Sequence, residues 1–374
     1  MTSRFRSELT IIPPVRIAVR GRKIETTIGW DVNGADRALF GANFRLVGNP
    51  SRSGPLPTER YLIPGTRVDF GGGSVTAMTS SGLSEFKQLL IATEAREREI
   101  RTDIRKARLQ HAASWFARAL AWFTLVPVVS RTIRAKGKHA VALRKAEVST
   151  LRDNLASSRI SISFDMDTAV ADPHRRMLNA FSKLTSCDGA WSLQTSQMID
   201  RVKARSMSSV VVARRAARLA CRSDPLLDTA DPPPSLSIQN GRSTAYFYPG
   251  FLLVVNAARS DFALIDLKDL DVRHYSTHFT EDGSTPADGQ IVSKVWAKSN
   301  KNGTRDRRFK DNRELPVMLY GELHLEAAGG LLEAFHFSRN EPCEAFVRAI
   351  NDLKRLLAEG SASRLPKATR PLLR

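Results

Sequence analysis

The spacing of hydrophobic positions divides the chain into an alternating N-terminal stretch, a helical middle and a longer alternating stretch at the C-terminal side. Near the start, Val15, Ile17 and Val19 alternate with Arg16, Ala18 and Arg20. After a turn at Gly21-Arg22-Lys23, Ile24, Thr26 and Ile28 alternate again, the period-two pattern of a β-hairpin with one buried face. Further strands are expected over 38–47 and 61–70, on either side of the loop GNPSRSGPLPTE. The run Gly71-Gly72-Gly73-Ser74 lacks the Gly-Lys-Ser/Thr that opens the helix of a phosphate loop, so it reads as a turn or hinge.

The period then becomes helical. Ser84 is a suitable N-cap for FKQLLIATEAREREIRTDIRKARLQH, and Glu94/Arg98 and Glu97/Arg101 stand at the i,i+4 spacing that steadies an exposed helix. A second helix is expected from about Lys138, where Val141, Val148 and Leu155 recur every seven residues with Leu151 between them. Two such helices can pair as an antiparallel hairpin. Its tip, ASWFARALAWFTLVPVV at 113–129, is apolar except for Ser114, Arg118 and Thr124 and is broken by Pro127. That length falls short of the about 20 residues a spanning helix needs. From 96 to 159, fifteen Lys/Arg stand against five Asp/Glu, so the apolar tip lies between basic arms. Such a wedge suits a peripheral hairpin on anionic lipid, with Trp115, Phe116, Trp122 and Phe123 as contact residues. The competing reading packs the same four aromatics against another domain or a second copy of the chain.

Residues 158–230 are less regular. SRISISFDMD at 158–167 reads as a strand, 173–184 as a compact helix, and 188–199 as irregular or a strand around Trp191. VVVARRAARLAC at 210–221 fits either strand or helix. Asp165 and Asp167 share a strand face, but no further acidic ligand follows at calcium-loop spacing. Pro232-Pro233-Pro234 closes the region. Beyond it, short apolar runs recur up to about Ser338, many separated by Asn240-Gly241, Pro249-Gly250, Asp282-Gly283 and Gly329-Gly330. PCEAFVRAINDLKRLL follows as one amphipathic helix. The expectation is an antiparallel β barrel capped by that helix.

Composition narrows the class. The 374 residues are 42% hydrophobic and 25% charged, enough apolar content for two or three cores. A formal charge of +19 favours acidic partners: an acidic protein, an anionic lipid surface or, ranked lower, nucleic acid. Cys187, Cys221 and Cys343 are odd in number and widely spaced, which fits a reducing compartment better than a disulfide framework or a structural zinc site. The start of the chain has no apolar segment followed by a small-residue cleavage site, so a cytoplasmic, or peripheral membrane, location is expected.

The polar loop 300–312 carries the strongest candidate chemistry. Arg307, Arg308, Lys310 and Arg313 could form a fork for carboxylate or phosphate, with Phe309 as a stacking or anchoring residue. Alternatively, Asp306 and Asp311 pair with these arginines and pin the loop. Glu322, His324 and Glu326 project from one strand face, but neighbours two apart in a strand lie almost 7 Å apart, which suits a solvent face better than a shared metal. No nucleophile triad or cofactor motif is recognised, so no cofactor is expected and the enzyme reading is the minority one.

Two resemblances follow. About seven strands and one closing helix resemble the pleckstrin-homology-like superfold, which implies a bent barrel plugged by its helix. The words TAYFYPGFLLVV, TRDRRFKDNRELPVMLYGELHL and AWSLQTSQ, with Arg4-Phe5-Arg6 and Ile63-Pro64-Gly65-Thr66, resemble a family of uncharacterised bacterial proteins with a small N-terminal β domain. Where that family has Gly-Pro before Asp-Arg-Arg-Phe, this chain has Gly303-Thr304-Arg305. The family implies no activity. The expected organisation is α+β and multidomain: a small all-β domain at 1–75, a basic helical hairpin at 82–157, a mixed linker region at 158–230, a helix-capped barrel at 235–358 and a disordered basic tail at 359–374. The expected role is a non-catalytic interaction or scaffold protein, with self-association through the hairpin among its contacts. Nucleic-acid binding by the basic helical surface, or an enzyme with a spatially assembled site, stay open as alternatives.

Overall fold

The computed structural model describes residues 15–20, 23–28, 67–124, 142–143, 145–146, 148–152, 155, 160–166, 168–204, 206, 208–300 and 302–362. The expected hairpin is present: β1 (Val15–Arg20) pairs antiparallel with β2 (Lys23–Ile28), from Val15 opposite Ile28 to Arg20 opposite Lys23. Its second edge is occupied from far along the chain. β4 (Ile160–Met166) lies parallel to β1, and β8 (Leu227–Asp228) lies parallel to β4. Of the strands expected over 38–47 and 61–70, the first lies outside the described residues; β3 (Arg67–Asp69) falls within the second.

The C-terminal half holds two antiparallel sheets. One is a meander of β9 (Pro234–Ile238), β10 (Ser243–Tyr248), β11 (Phe251–Asn256) and β12 (Phe262–Asp266), extended beyond β9 by β7 (Leu219–Cys221). Nearly every residue of β10 to β12 is buried, so these strands read as continuous apolar runs. The other is ordered β13 (Leu270–Thr280), β15 (Glu314–Ala327), β16 (Leu331–Phe337), β5 (Ala190–Met198) and β3. β14 (Gln290–Trp296) pairs with the first part of β15, and β6 (Val210–Ala216) pairs with β5. The expected closed barrel is therefore corrected to two open sheets. β16 pairs with β5, the second of the two readings (irregular, or a strand around Trp191) that the sequence allowed for 188–199, instead of closing the sheet on itself.

The α-helices of defined extent are α1 (Ser84–Thr124), α2 (Thr168–Thr185), α3 (Arg201–Ala204) and α4 (Asn340–Ala362), and the described residues between 142 and 155 are helical as well. None among the described residues is long and apolar enough to cross a membrane. α4 buries Phe346, Ile350, Leu353 and Leu357 on one stripe. Phe346 meets Phe181 of α2 at 5.2 Å and Phe247 of β10 at 5.6 Å, which joins both helices to the meander. The Gly-rich run after β3 serves close packing: a Cβ on Gly73 would stand 2.1 Å from the carbonyl oxygen of Gly330 in the β15–β16 turn.

α1 buries Phe86, Leu90, Thr93, Glu97, Ile100, Ile104 and Ala107, a three-four repeat that carries polar groups inward along with apolar ones. Glu94, also buried, is held by Arg98 at 3.2 Å and by Arg259 at 3.0 Å. Arg259 sits in the β11–β12 turn with φ 55°, and it forks onto Asp224 with two bonds of 2.8 Å. The Asp224 side chain is 0% exposed, so one guanidinium ties the long helix, the meander and the segment before β8 together across a dry contact. Arg259→Gly suits the left-handed backbone yet leaves Asp224 buried without its cation. It is expected to lower unfolding free energy by about 3 kcal/mol in urea denaturation; an unchanged midpoint would show that the turn, and not the ion pair, is what matters there.

Candidate functional site

A groove of about 410 Å³ runs between β13 and α4. Val272, Arg273, His274 and Tyr275 line one side; Glu344, Val347, Arg348 and Asn351 line the other. Side chains of a strand alternate between faces, so four consecutive lining residues mean that the edge of β13 forms the wall. Among the described residues β13 is the terminal strand of its sheet, pairing with β15 alone. Lys354 of α4 donates to the Leu270 carbonyl, and Asn351 Nδ2 donates to the Val272 carbonyl at 3.1 Å. The even-numbered residues thus turn their backbone groups away from β15 and toward the groove. At the other end Asn340, the first residue of α4, meets His274 Nε2 at 2.9 Å and accepts from Ser276 Oγ at 3.1 Å. Between these fastenings the groove opens to solvent, with Arg273 beside Asp271 and Arg348 beside Glu344.

The opposite face of the same sheet was expected to be solvated. It is buried instead. His324 is 4% exposed and His336 1%, and both direct Nε2 at Glu322, at 2.5 and 3.3 Å. Thr277 Oγ1 donates to the same carboxylate at 2.6 Å. Burial alone would raise the Glu322 pKa, but the hydrogen bonds from His324 and His336 outweigh it and hold the carboxyl well below its ordinary value of 4.5. The Nε2 atoms are spent on Glu322, the Nδ1 atoms of both rings are buried without an acceptor among the described residues, and among the described residues no group of three or more His, Cys, Asp or Glu is placed to hold a metal.

Next to this cluster lies a second one that sequence reading missed. The guanidinium carbon of Arg214 on β6 stands 4.0 Å from the Trp191 ring centroid, 4.5 Å from that of Phe279 and 5.8 Å from that of Tyr320. Glu281 pairs with Arg214 and accepts from the Tyr320 hydroxyl at 2.8 Å. The signal was present as Trp191, Arg214, Phe279, Glu281 and Tyr320, but these are spread over 130 positions of sequence and only the strand register unites them.

The candidates named from sequence fall elsewhere. In loop 300–312, Arg308 is locked onto buried Asp306 by bonds of 2.9 and 2.8 Å, and Arg313 Nη2 donates to the Asp282 carbonyl at 2.6 Å. Asn312 closes the loop base through Lys298, and Arg305 lies 5.1 Å over Trp296. Arg307, Lys310 and Phe309 are exposed. Arg308 and Arg313 are thus each committed to a partner within the chain. Trp115 and Phe116 lie on the outer half of α1, 50% and 66% exposed, and Trp122 and Phe123 continue the same helix, their side chains outside the described residues.

Comparison of the chain with protein-family models, curated proteins and solved structures finds no match.

A carboxyl whose pKa is lowered by folding contributes stability that is complete above its ordinary value and fades as pH falls below it. Glu322→Gln is expected to cost about 2 kcal/mol near neutral pH, with the gap to the parent narrowing below 4.5. Urea denaturation at neutral and acid pH checks this, and a gap that stays constant with pH would contradict it.

Proposed function

We propose that the chain is a non-catalytic interaction protein whose C-terminal unit takes an extended, acidic peptide segment of a partner as an added strand on β13. The observation that carries this reading is the groove itself, whose wall is the unpaired edge of β13 and whose opposite wall is α4. Main-chain hydrogen bonds to such an edge supply affinity, and the flanking groove selects side chains. The charge of +19 draws acidic segments to the molecule. The order of elements supports the same reading. Four meander strands, four further strands and a closing helix resemble the pleckstrin-homology-like order, with β13 in the fifth position beside the helix.

Ser276 gives a clean test. It is exposed on the edge and its N–H faces away from β15, a position where proline removes a donor without breaking the sheet. Peptides enriched from a random display library on the parent protein are expected to carry acidic residues and to lose at least about tenfold in affinity for Ser276→Pro. Failure to enrich any peptide, or equal binding to a folded Ser276→Pro variant, would overturn the reading.

A second reading rests on a separate observation, the exposed Trp115 and Phe116 on α1 with exposed Arg105, Lys106 and Arg108 on the same helix. We propose that this part of α1 also meets an anionic membrane surface. The protein is expected to float with phosphatidylserine-containing vesicles and not with pure phosphatidylcholine, and Trp115→Ser/Phe116→Ser is expected to abolish flotation. Flotation indifferent to lipid charge or to these substitutions would remove the reading.

A further inference from the structure

The box around Arg214 has the composition of a receptor for a cation. Trp191, Phe279 and Tyr320 present three rings to one positive centre, and Glu281 supplies a carboxylate at its rim. Ring faces attract cations through their quadrupole, most strongly where water is excluded, and boxes of this kind recognise methylated ammonium groups. Arg214 fills the box incompletely. Its Nη2 is paired with Glu281, whereas its Nη1 is buried and has no acceptor among the described residues. A guanidinium must leave that N–H unsatisfied, while an ammonium whose hydrogens are replaced by methyl groups has none to leave.

The box and its occupant also differ in how firmly they are held. Trp191 belongs to β5, Phe279 to β13 and Tyr320 to β15, all within the large sheet, and Glu281 is fastened by its backbone N–H to the Pro316 carbonyl at 2.9 Å. Arg214 arrives on β6, which among the described residues pairs with β5 alone and carries Val211 exposed at 53%. The β5–β6 register slips between Leu193 and Thr195, opposite Arg214 and Ala213. Lifting β6 removes the arginine and leaves the rings in place.

We propose that Trp191, Phe279, Tyr320 and Glu281 form a quaternary-ammonium site that the chain keeps closed with its own Arg214. The ligand chemistry is a methylated ammonium, borne by a trimethylated lysine or by a choline headgroup. Arg214→Ala empties the box. Titration with tetramethylammonium chloride, followed by tryptophan fluorescence, is expected to saturate for Arg214→Ala, and at least about tenfold more weakly for the parent and for Arg214→Ala/Glu281→Gln. A trimethyl-lysine peptide or phosphatidylcholine vesicles competing for the same site would assign a side chain or a headgroup as the source. A folded Arg214→Ala protein with no saturable response would overturn the proposal. Hydrogen exchange on the parent decides the matter even if that variant does not fold: tetramethylammonium, compared with equal sodium chloride, is expected to accelerate exchange in 210–216 alone, and unchanged exchange there would equally overturn it.

Discussion

Burial of β15 on both faces is the constraint from which the rest of the C-terminal structure follows. Leu323, Leu325 and Ala327 enter the main apolar core beneath α4, while Tyr320, Glu322 and His324 point the other way into a layer that is also closed to water. A strand in that position can carry polar side chains only if each finds a partner, because desolvated charge without one costs several kcal/mol. Glu322 is therefore surrounded by His324, His336 and Thr277, and Glu281 by Arg214 and Tyr320. The partners from outside β15 come from β6, β13 and β16, so satisfying one strand fixes the register of its neighbours.

The same logic attaches the helical part. α1 brings Glu94 and Glu97 inward at positions that its repeat would reserve for apolar groups, and Arg101, Arg98 and Arg259 neutralise them. Arg259 then commits its remaining donors to Asp224. The proposed peptide site lies where this saturation ends. Outside these paired interior charges, the backbone edge of β13 still has hydrogen-bonding groups turned outward beside a groove.

Much of the fold was legible in the sequence, and the reasons for the remainder are physical. The first hairpin, the start of α1 at Ser84, the meander and the amphipathic α4 each follow from local periodicity, and each is present. The extent of α1 through Thr124 was not legible, since the apolar 113–129 pattern describes burial and not helix continuity. Alternation along LYGELHLE correctly placed Glu322 and His324 on one face, but it could not show that β6 and Phe70 would help cover that face. VVVARRA carries one arginine on each face and no alternation, so it left strand and helix open, and with it the position of Arg214. The groove was invisible for a different reason: one of its walls is the edge of a strand, whose backbone has no composition to read.

Hydrogen exchange along β13 tests the central claim most directly. In an antiparallel edge strand, successive amides face alternately toward the neighbour and away from it. If the edge is open, the amides of His274, Ser276 and His278 exchange rapidly, while those of Arg273, Tyr275 and Thr277, turned toward β15, stay protected. Uniform protection from 273 to 278 would mean that the edge is already paired and unable to accept an added strand.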